Sequence, residues 1–283
     1  MIALSIILPL ELSSIAALHP WRLVLALGVG LIGGATSGLC GVSPGGILVV
    51  LGTLFLGAEQ HFAQGMALAA QVPPTSLAAI RRYQASGGSY PRVWLPWLAS
   101  GFLIGGAAGA IGAARVSSSI LQWSYVAYLG ILDVLLLLRT IARPVADDTA
   151  TQRGSIPVSA LLMVGLLAGL SSGYLGIGGG LALIAGLTAG LKVPQHTAQH
   201  LSLFLSILPT TAPAAYVYWR EGLLPSWPIL AAVMMGLWGG TDLGARVANR
   251  ASPTALRRVL VVMVTAMAVY MTWKALTGPS GGA

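Results

Sequence analysis

His61 and Gln64 open one apolar segment of the chain, and His196 and Gln199 open another 135 residues later. His200 follows one helical turn after His196, and Gln71, Thr75 and Thr210 lie further along the same two segments. A neutral imidazole, amide or hydroxyl donates hydrogen bonds to an oxyanion without the cost of burying a full charge. The repeated placement points to Gln64 and Gln199 as lining groups for a small anion, with tying of neighbouring helices as the plainer alternative. His61 reads as an interfacial residue. His196 and His200 share a helical face, but their half of the chain shows no third ligand, so neither a metal nor another cofactor is expected.

Two glycine-rich stretches supply a second set of groups. Gly38-Leu39-Cys40-Gly41-Val42-Ser43-Pro44-Gly45-Gly46 separates two apolar segments, and its counterpart runs from Gly173 to Gly180. Glycine costs about 1 kcal/mol in a helix interior and proline about 3, so both stretches should break a helix. Broken backbone inside a bilayer is tolerated only against protein or a water-filled cavity. A helix starting after such a break turns free N–H groups and its positive dipole end toward it, which favours an anion. The expected binding groups are therefore Gly41, Gly45, Gly46, Gly176, Gly178, Gly179 and Gly180, with the hydroxyls of Ser37, Ser43 and Ser172. Gly101, Gly105 and Gly109, and likewise Gly236, Gly240 and Gly244, recur every four residues and read instead as smooth faces for close helix packing.

Two acids fall within apolar segments. Asp242 has Arg246 at i+4, which reads as a structural ion pair; proton coupling through Asp242 and Arg246 is the sharper alternative. Asp133, near Arg139, is expected to serve the end of its segment. Gly169-Leu170-Ser171-Ser172-Gly173 spells Gly-x-Ser-x-Gly, with His196 and His200 downstream as bases, so an intramembrane serine hydrolase is an alternative reading. That motif requires a strand-to-helix turn, whereas both flanks here read as helix and Thr36 stands at the position of Ser171 in the first half.

The elements that must hold these groups follow from composition. Of 283 residues, 56% are hydrophobic and 8% charged, against about 25% charged in soluble domains. Together with a mean hydropathy of +0.83, this excludes a soluble enzyme, a disordered chain and a nucleic-acid binder. The net charge of +8 then reports loop topology rather than a polyanionic partner. Cys40 is the single cysteine, which rules out an intrachain disulfide and reads as a packing residue.

Sliding the chain against itself by 135 residues aligns Gly34–Gly41 with Gly169–Gly176, His61-Phe62-Ala63-Gln64 with His196-Thr197-Ala198-Gln199, and Gly101, Gly105 and Gly109 with Gly236, Gly240 and Gly244. Each half divides into five apolar segments, at 23–40, 46–58, 61–80, 93–113 and 120–139, then 157–175, 181–192, 196–217, 227–248 and 255–274. The second of each is short, and either spans or re-enters. If all five cross, one side of the membrane receives 11 of the 15 basic residues, so the positive-inside rule favours two inverted repeats with that side cytoplasmic. The expected fold is all-α: a polytopic helical membrane protein of two homologous five-segment repeats with glycine-broken helices. Its parts are a lead-in (1–22), a first repeat (23–146), a polar linker (147–156), a second repeat (157–276) and a tail (277–283).

Two Gly-x-Gly-Gly-Gly-like breaks, each followed by a His-x-Ala-Gln segment, resemble the sulfite exporter TauE/SafE family, also described as the TSUP permease family. The resemblance runs from about Leu23 to Leu276 and is clearest at Gly176-Ile177-Gly178-Gly179-Gly180. In the first half Gly41, Gly45 and Gly46 match, but Ser43-Pro44 replaces glycine. The resemblance implies export or uptake of sulfite, an organosulfonate or a related small anion. The expectation is a secondary transporter of a small anion working by alternating access, with a serine hydrolase or a non-transporting scaffold subunit as alternatives. Its partners are the anion and the lipid bilayer, with homo-oligomerisation left open, and its place is the bacterial inner membrane.

Overall fold

A computed structural model describes residues 20–40, 42–74, 91–141, 156–248 and 253–277; at 135–141, 195, 196, 199, 203, 253–255 and 257 only the backbone is described. Every regular element among them is a helix. They are α1 (Pro20–Cys40), α2 (Gly45–Phe55), α3 (Gln60–Ala70), α4 (Leu95–Ala114), α5 (Ser118–Ile141), α6 (Val158–Leu175), α7 (Gly180–Ala185), α8 (Gln195–Leu205), α9 (Ala212–Arg220), α10 (Trp227–Ala248) and α11 (Pro253–Thr277). A 3₁₀ turn precedes α4, and a π turn, Gly186–Gly190, continues α7. Four stretches among the described residues are long and apolar enough to cross a membrane: Pro20–Cys40, Arg92–Ala114, Val158–Leu175 and Arg258–Thr277. The polar linker, the tail beyond Thr277 and the first 19 residues of the lead-in lie outside the described residues, Ile156 excepted.

Two helix pairs dominate the packing, α1 with α10 and α4 with α6, and α5 lies against α11. Glycine makes the first two pairs so close. A Cβ added to Gly30, Gly34 or Gly38 would overlap the carbonyl oxygen of Val233, Leu237 or Thr241, and one added to Gly236, Gly240 or Gly244 would overlap that of Leu27, Leu31 or Ala35. The α4/α6 pair does the same: Gly101, Gly105 and Gly109 abut the carbonyls of Leu162, Leu166 and Leu170, and Gly165, Gly169 and Gly173 abut those of Leu98, Phe102 and Gly106. Without a hydrophobic force between helices in lipid, such backbone contact gains the dispersion that side chains would hold apart. Adding 135 to the first-half partner and subtracting it from the second-half partner turns a contact of one pair into a contact of the other: Gly101 on Leu162 answers to Gly236 on Leu27, with the roles of the halves exchanged. The packing expected of the four-residue glycine spacing is thus present, and α1 and α6 contribute matching glycines of their own.

The third segments differ from expectation. The sequence suggests unbroken stretches over 61–80 and 196–217. Instead α3 stops at Ala70 with Gln71 as its cap, before Val72-Pro73-Pro74, and the second segment splits into α8 and α9 around 206–211. Proline lacks the N–H of the next helical rung and clashes with the turn before it, and Pro74 and Pro209 stand at the same aligned position. The second segments are short, as expected: the 11 residues of α2 span about 16 Å, about half of a bilayer core.

Candidate functional site

Four chain interruptions meet at one place. The first lies between α1 and α2, the second after α3, the third between α6 and α7, and the fourth between α8 and α9. Their residues Ser43, Pro44, Gln71, Gly178, Ser206, Leu208, Thr210 and Thr211 enclose a cavity of about 20 Å³. Among the described residues, only hydroxyl, amide and backbone groups supply its polarity. Ser43 Oγ donates to Gln71 Oε1 at 2.7 Å, and Gln71 Nε2 donates to Ala67 O at 2.7 Å. Thr211 Oγ1 is buried without a hydrogen-bond partner. The first intrahelical bond of α2 runs from Leu48 N–H to Pro44 O, so the N–H groups of Gly45, Gly46 and Ile47 precede that rung and emerge beside Ser43.

The third interruption depends on glycine for two reasons. Gly176, Gly178 and Gly179 have φ of +72°, +76° and +65°, where a side chain is disfavoured. Space is the other reason: a Cβ on Gly178 would overlap Ser43 Oγ and Gln71 Oε1, and one on Gly179 would meet the Phe102 ring. Gly176 closes α6, its N–H donating to Ser172 O at 2.7 Å, while Gly180 opens α7 beside Ser43 and Ser202. Gly45 lies against Gly176 and Ile177, so the two glycine breaks touch. Gly46 O accepts from Tyr125 Oη at 2.6 Å, which ties the start of α2 to α5.

Ser43 also lines a second, apolar cavity of about 40 Å³, with Gly46, Ile47, Tyr128, Leu132, Ile177 and Val264 among its walls. Several other residues singled out by sequence lie outside the polar cavity. Ser37 Oγ donates to Val42 O at 2.6 Å, holding the first break to α1. Gln64 is fully buried against Gly176; its Oε1 accepts from Tyr218 Oη at 2.9 Å and its Nε2 has no partner. Ser172 is buried, with its hydroxyl likewise unpartnered. His200 is buried on α8. Gly41 lies outside the described residues, as do the side chains of His196 and Gln199. His61 is a buried strut between helix ends: Nδ1 lies 2.9 Å from Ser118 Oγ and Nε2 3.0 Å from Ala113 O.

Asp242 forms the expected i,i+4 ion pair with Arg246, and both side chains are more than half exposed. Asp133 does not serve a helix end: it stands eight residues before Ile141 and accepts from Thr265 Oγ1 at 2.7 Å. The Gly-x-Ser-x-Gly motif lies inside the continuous helix α6, where Ser171 Oγ donates back to Ala168 O at 2.9 Å, so no nucleophile elbow exists there. Sequence reasoning noted Gln71 and Thr210 without placing them in the site, and missed Ser206 and Thr211. The signal was present: Gln71 and Ser206 share one aligned position, as Ser43 and Gly178 share another.

Residues 26–271 match the family model described as "Sulfite exporter TauE/SafE". The chain belongs to that family. Two relatives from Xylella fastidiosa, strains Temecula1 and 9a5c, each carry the description "Probable membrane transporter protein" and are each 32% identical over 113 residues, 39% of this chain and 42% of the relative. The match thus spans less than half the length of either relative. The family's description and the names of both relatives are those of membrane transport proteins. No solved structure matches it.

Proposed function

We propose that the chain is a secondary transporter that moves a small anion, sulfite or an organosulfonate, across a bacterial inner membrane by alternating access. The observation that carries this reading is the junction of four broken segments around a polar cavity that, among the described residues, no lysine or arginine lines. Interrupted helices in corresponding positions of two repeats are the usual frame of a transporter site, with backbone and neutral groups in place of charges. In this reading Ser43, Ser206, Thr210 and Thr211 donate to the oxyanion together with the first N–H groups of α2. Gln71 exchanges its bond with Ser43 for one to the cargo.

The inverted duplication is part of the proposal. Its support is the exchange of glycine contacts between α1/α10 and α4/α6 at the 135-residue offset. Each tight pair joins one helix from each half, so the pairs rather than the halves would rock as units. A cavity of about 20 Å³ holds about one water, so admitting an anion requires the segments around it to move apart. The adjoining apolar cavity shares Ser43 and offers room for the carbon end of a sulfonate. Proteoliposomes carrying the protein, assayed with labelled sulfite, methanesulfonate, sulfate and chloride, test the reading. Sulfite or methanesulfonate should move faster than sulfate, and no flux of any of the four would sink it.

A further inference from the structure

Thr265 is the thirteenth residue of the 25-residue helix α11, about 18 Å from either end at 1.5 Å per residue. The carboxylate it bonds, Asp133, therefore lies level with the interior of the apolar span Arg258–Thr277. An ionisable group at that depth is costly to keep and marks a working site more often than a structural one. Its partner is a neutral hydroxyl, whereas Asp242 has a guanidinium.

The partner has two acceptors and one proton. Thr265 Oγ1 lies 2.7 Å from Asp133 Oδ1 and 3.0 Å from Val261 O. With Asp133 ionised, the hydroxyl donates to the carboxylate. With Asp133 protonated, the carboxyl O–H donates to Thr265 Oγ1, and the hydroxyl turns its own proton to Val261 O. The same heavy-atom positions thus serve both protonation states. Leu132 and Val264, the chain neighbours of Asp133 and Thr265, line the apolar cavity, and Ser43 joins that cavity to the polar one.

We propose that Asp133 is the proton-carrying residue of a proton–anion symport, loaded together with the anion held at Ser43. This rests on the transport reading above and adds its driving ion. An ionised Asp133 and a bound anion repel across a medium of low dielectric, so each proton taken up favours the anion and each anion favours the proton, reciprocally. Among the described side chains, which leave out Arg139 and Arg257, the other titratable groups on helices packed against α5 stand away from this point. His61 on α3 and Tyr174 on α6 meet Ser118 and Ser124, toward the start of α5. On α11, Arg258 is exposed two turns before Thr265, Tyr270 stacks with Trp273, and Lys274 reaches Ala58 O near the far end. On α5 itself Tyr128 lines the apolar cavity.

The test uses the full chain in proteoliposomes with labelled methanesulfonate and sulfite. One proton per anion predicts about tenfold accumulation for a gradient of one pH unit, acid on the loading side. In Asp133→Asn the ratio of uptake with and without the gradient should fall to about one, while exchange at equal pH stays measurable and thermal unfolding shows a folded protein. Asp133→Glu should restore a ratio above one, and Asp242→Asn should keep the wild-type ratio. A wild-type ratio of one, or an undiminished ratio in folded Asp133→Asn, overturns the proton role while leaving transport standing. Absence of flux for both anions overturns the transport reading and this proposal with it.

Discussion

Ser43 and Gln71, 28 residues apart, close on each other across the wall of the polar cavity, the hydroxyl donating to Oε1 at 2.7 Å. Because Gln71 Nε2 is held by Ala67 O, the amide turns its oxygen, an acceptor, toward the site. In the proposed transport, an arriving anion takes the Ser43 proton away from Gln71. The bond would then act as a latch that cargo opens.

The latch predicts an asymmetry among Ser43 variants. Ser43→Ala should lower flux about 10- to 100-fold, the loss of one hydrogen bond to a charged group, with the unfolding temperature little changed. Ser43→Thr keeps the hydroxyl and should keep most of the flux. Wild-type rates in Ser43→Ala would remove Ser43 from the site.

Gly178→Ala should be far more damaging than its size suggests. The left-handed backbone alone costs about 1–2 kcal/mol for a residue with a Cβ, and the added methyl displaces the Ser43–Gln71 pair. Flux should vanish and detergent-solubilised protein should unfold at a lower temperature. An intact, active Gly178→Ala protein would contradict the geometry of the third interruption.

The glycine seams predict matched effects in the two pairs. Gly34→Ala drives a methyl into Leu237 O, and Gly169→Ala drives one into Phe102 O; each should cost about 1–3 kcal/mol, the usual penalty of overpacking. Gly28 and Gly130 have open space around them, so alanine there should stabilise by about 0.5–1 kcal/mol. Thermal unfolding of the four variants reads both signs, and equal behaviour of seam and open sites would refute the seams.

Tyr218 and Gln64 should behave as a coupled pair. Tyr218→Phe leaves both ends of a fully buried amide unpaired, a loss of about 1–3 kcal/mol. Adding Gln64→Leu removes the orphaned groups and should recover most of it. Additive losses in a double-mutant cycle would show that the two do not interact.

Much of this architecture was legible in the sequence for a physical reason. Glycines every four residues can do little in a membrane helix except admit a neighbour, and repetition at one offset made both faces visible. The glycine breaks were readable too, because Gly178-Gly179-Gly180 resists a helix. The cavity wall was harder to see. Gln71, Ser206 and Thr211 lie where third segments of high apolarity hide a second interruption, and hydropathy averages over it. Gln64 left two readings open, cargo contact or a tie between helices; in the fold its oxygen is taken by Tyr218. Contact across the halves, 154 residues apart for that bond, leaves no local trace.

The exchange of helices between halves also has a consequence for synthesis. The seam on α1 has no mate until α10, residues Trp227–Ala248, leaves the ribosome. At 5–20 residues per second that is a wait of about 10–40 s, during which a ridge of bare backbone faces lipid or whatever factor shields it. The α4/α6 seam closes much earlier, so assembly has an order: the central pair forms first and the chain's first helix is locked in near the end.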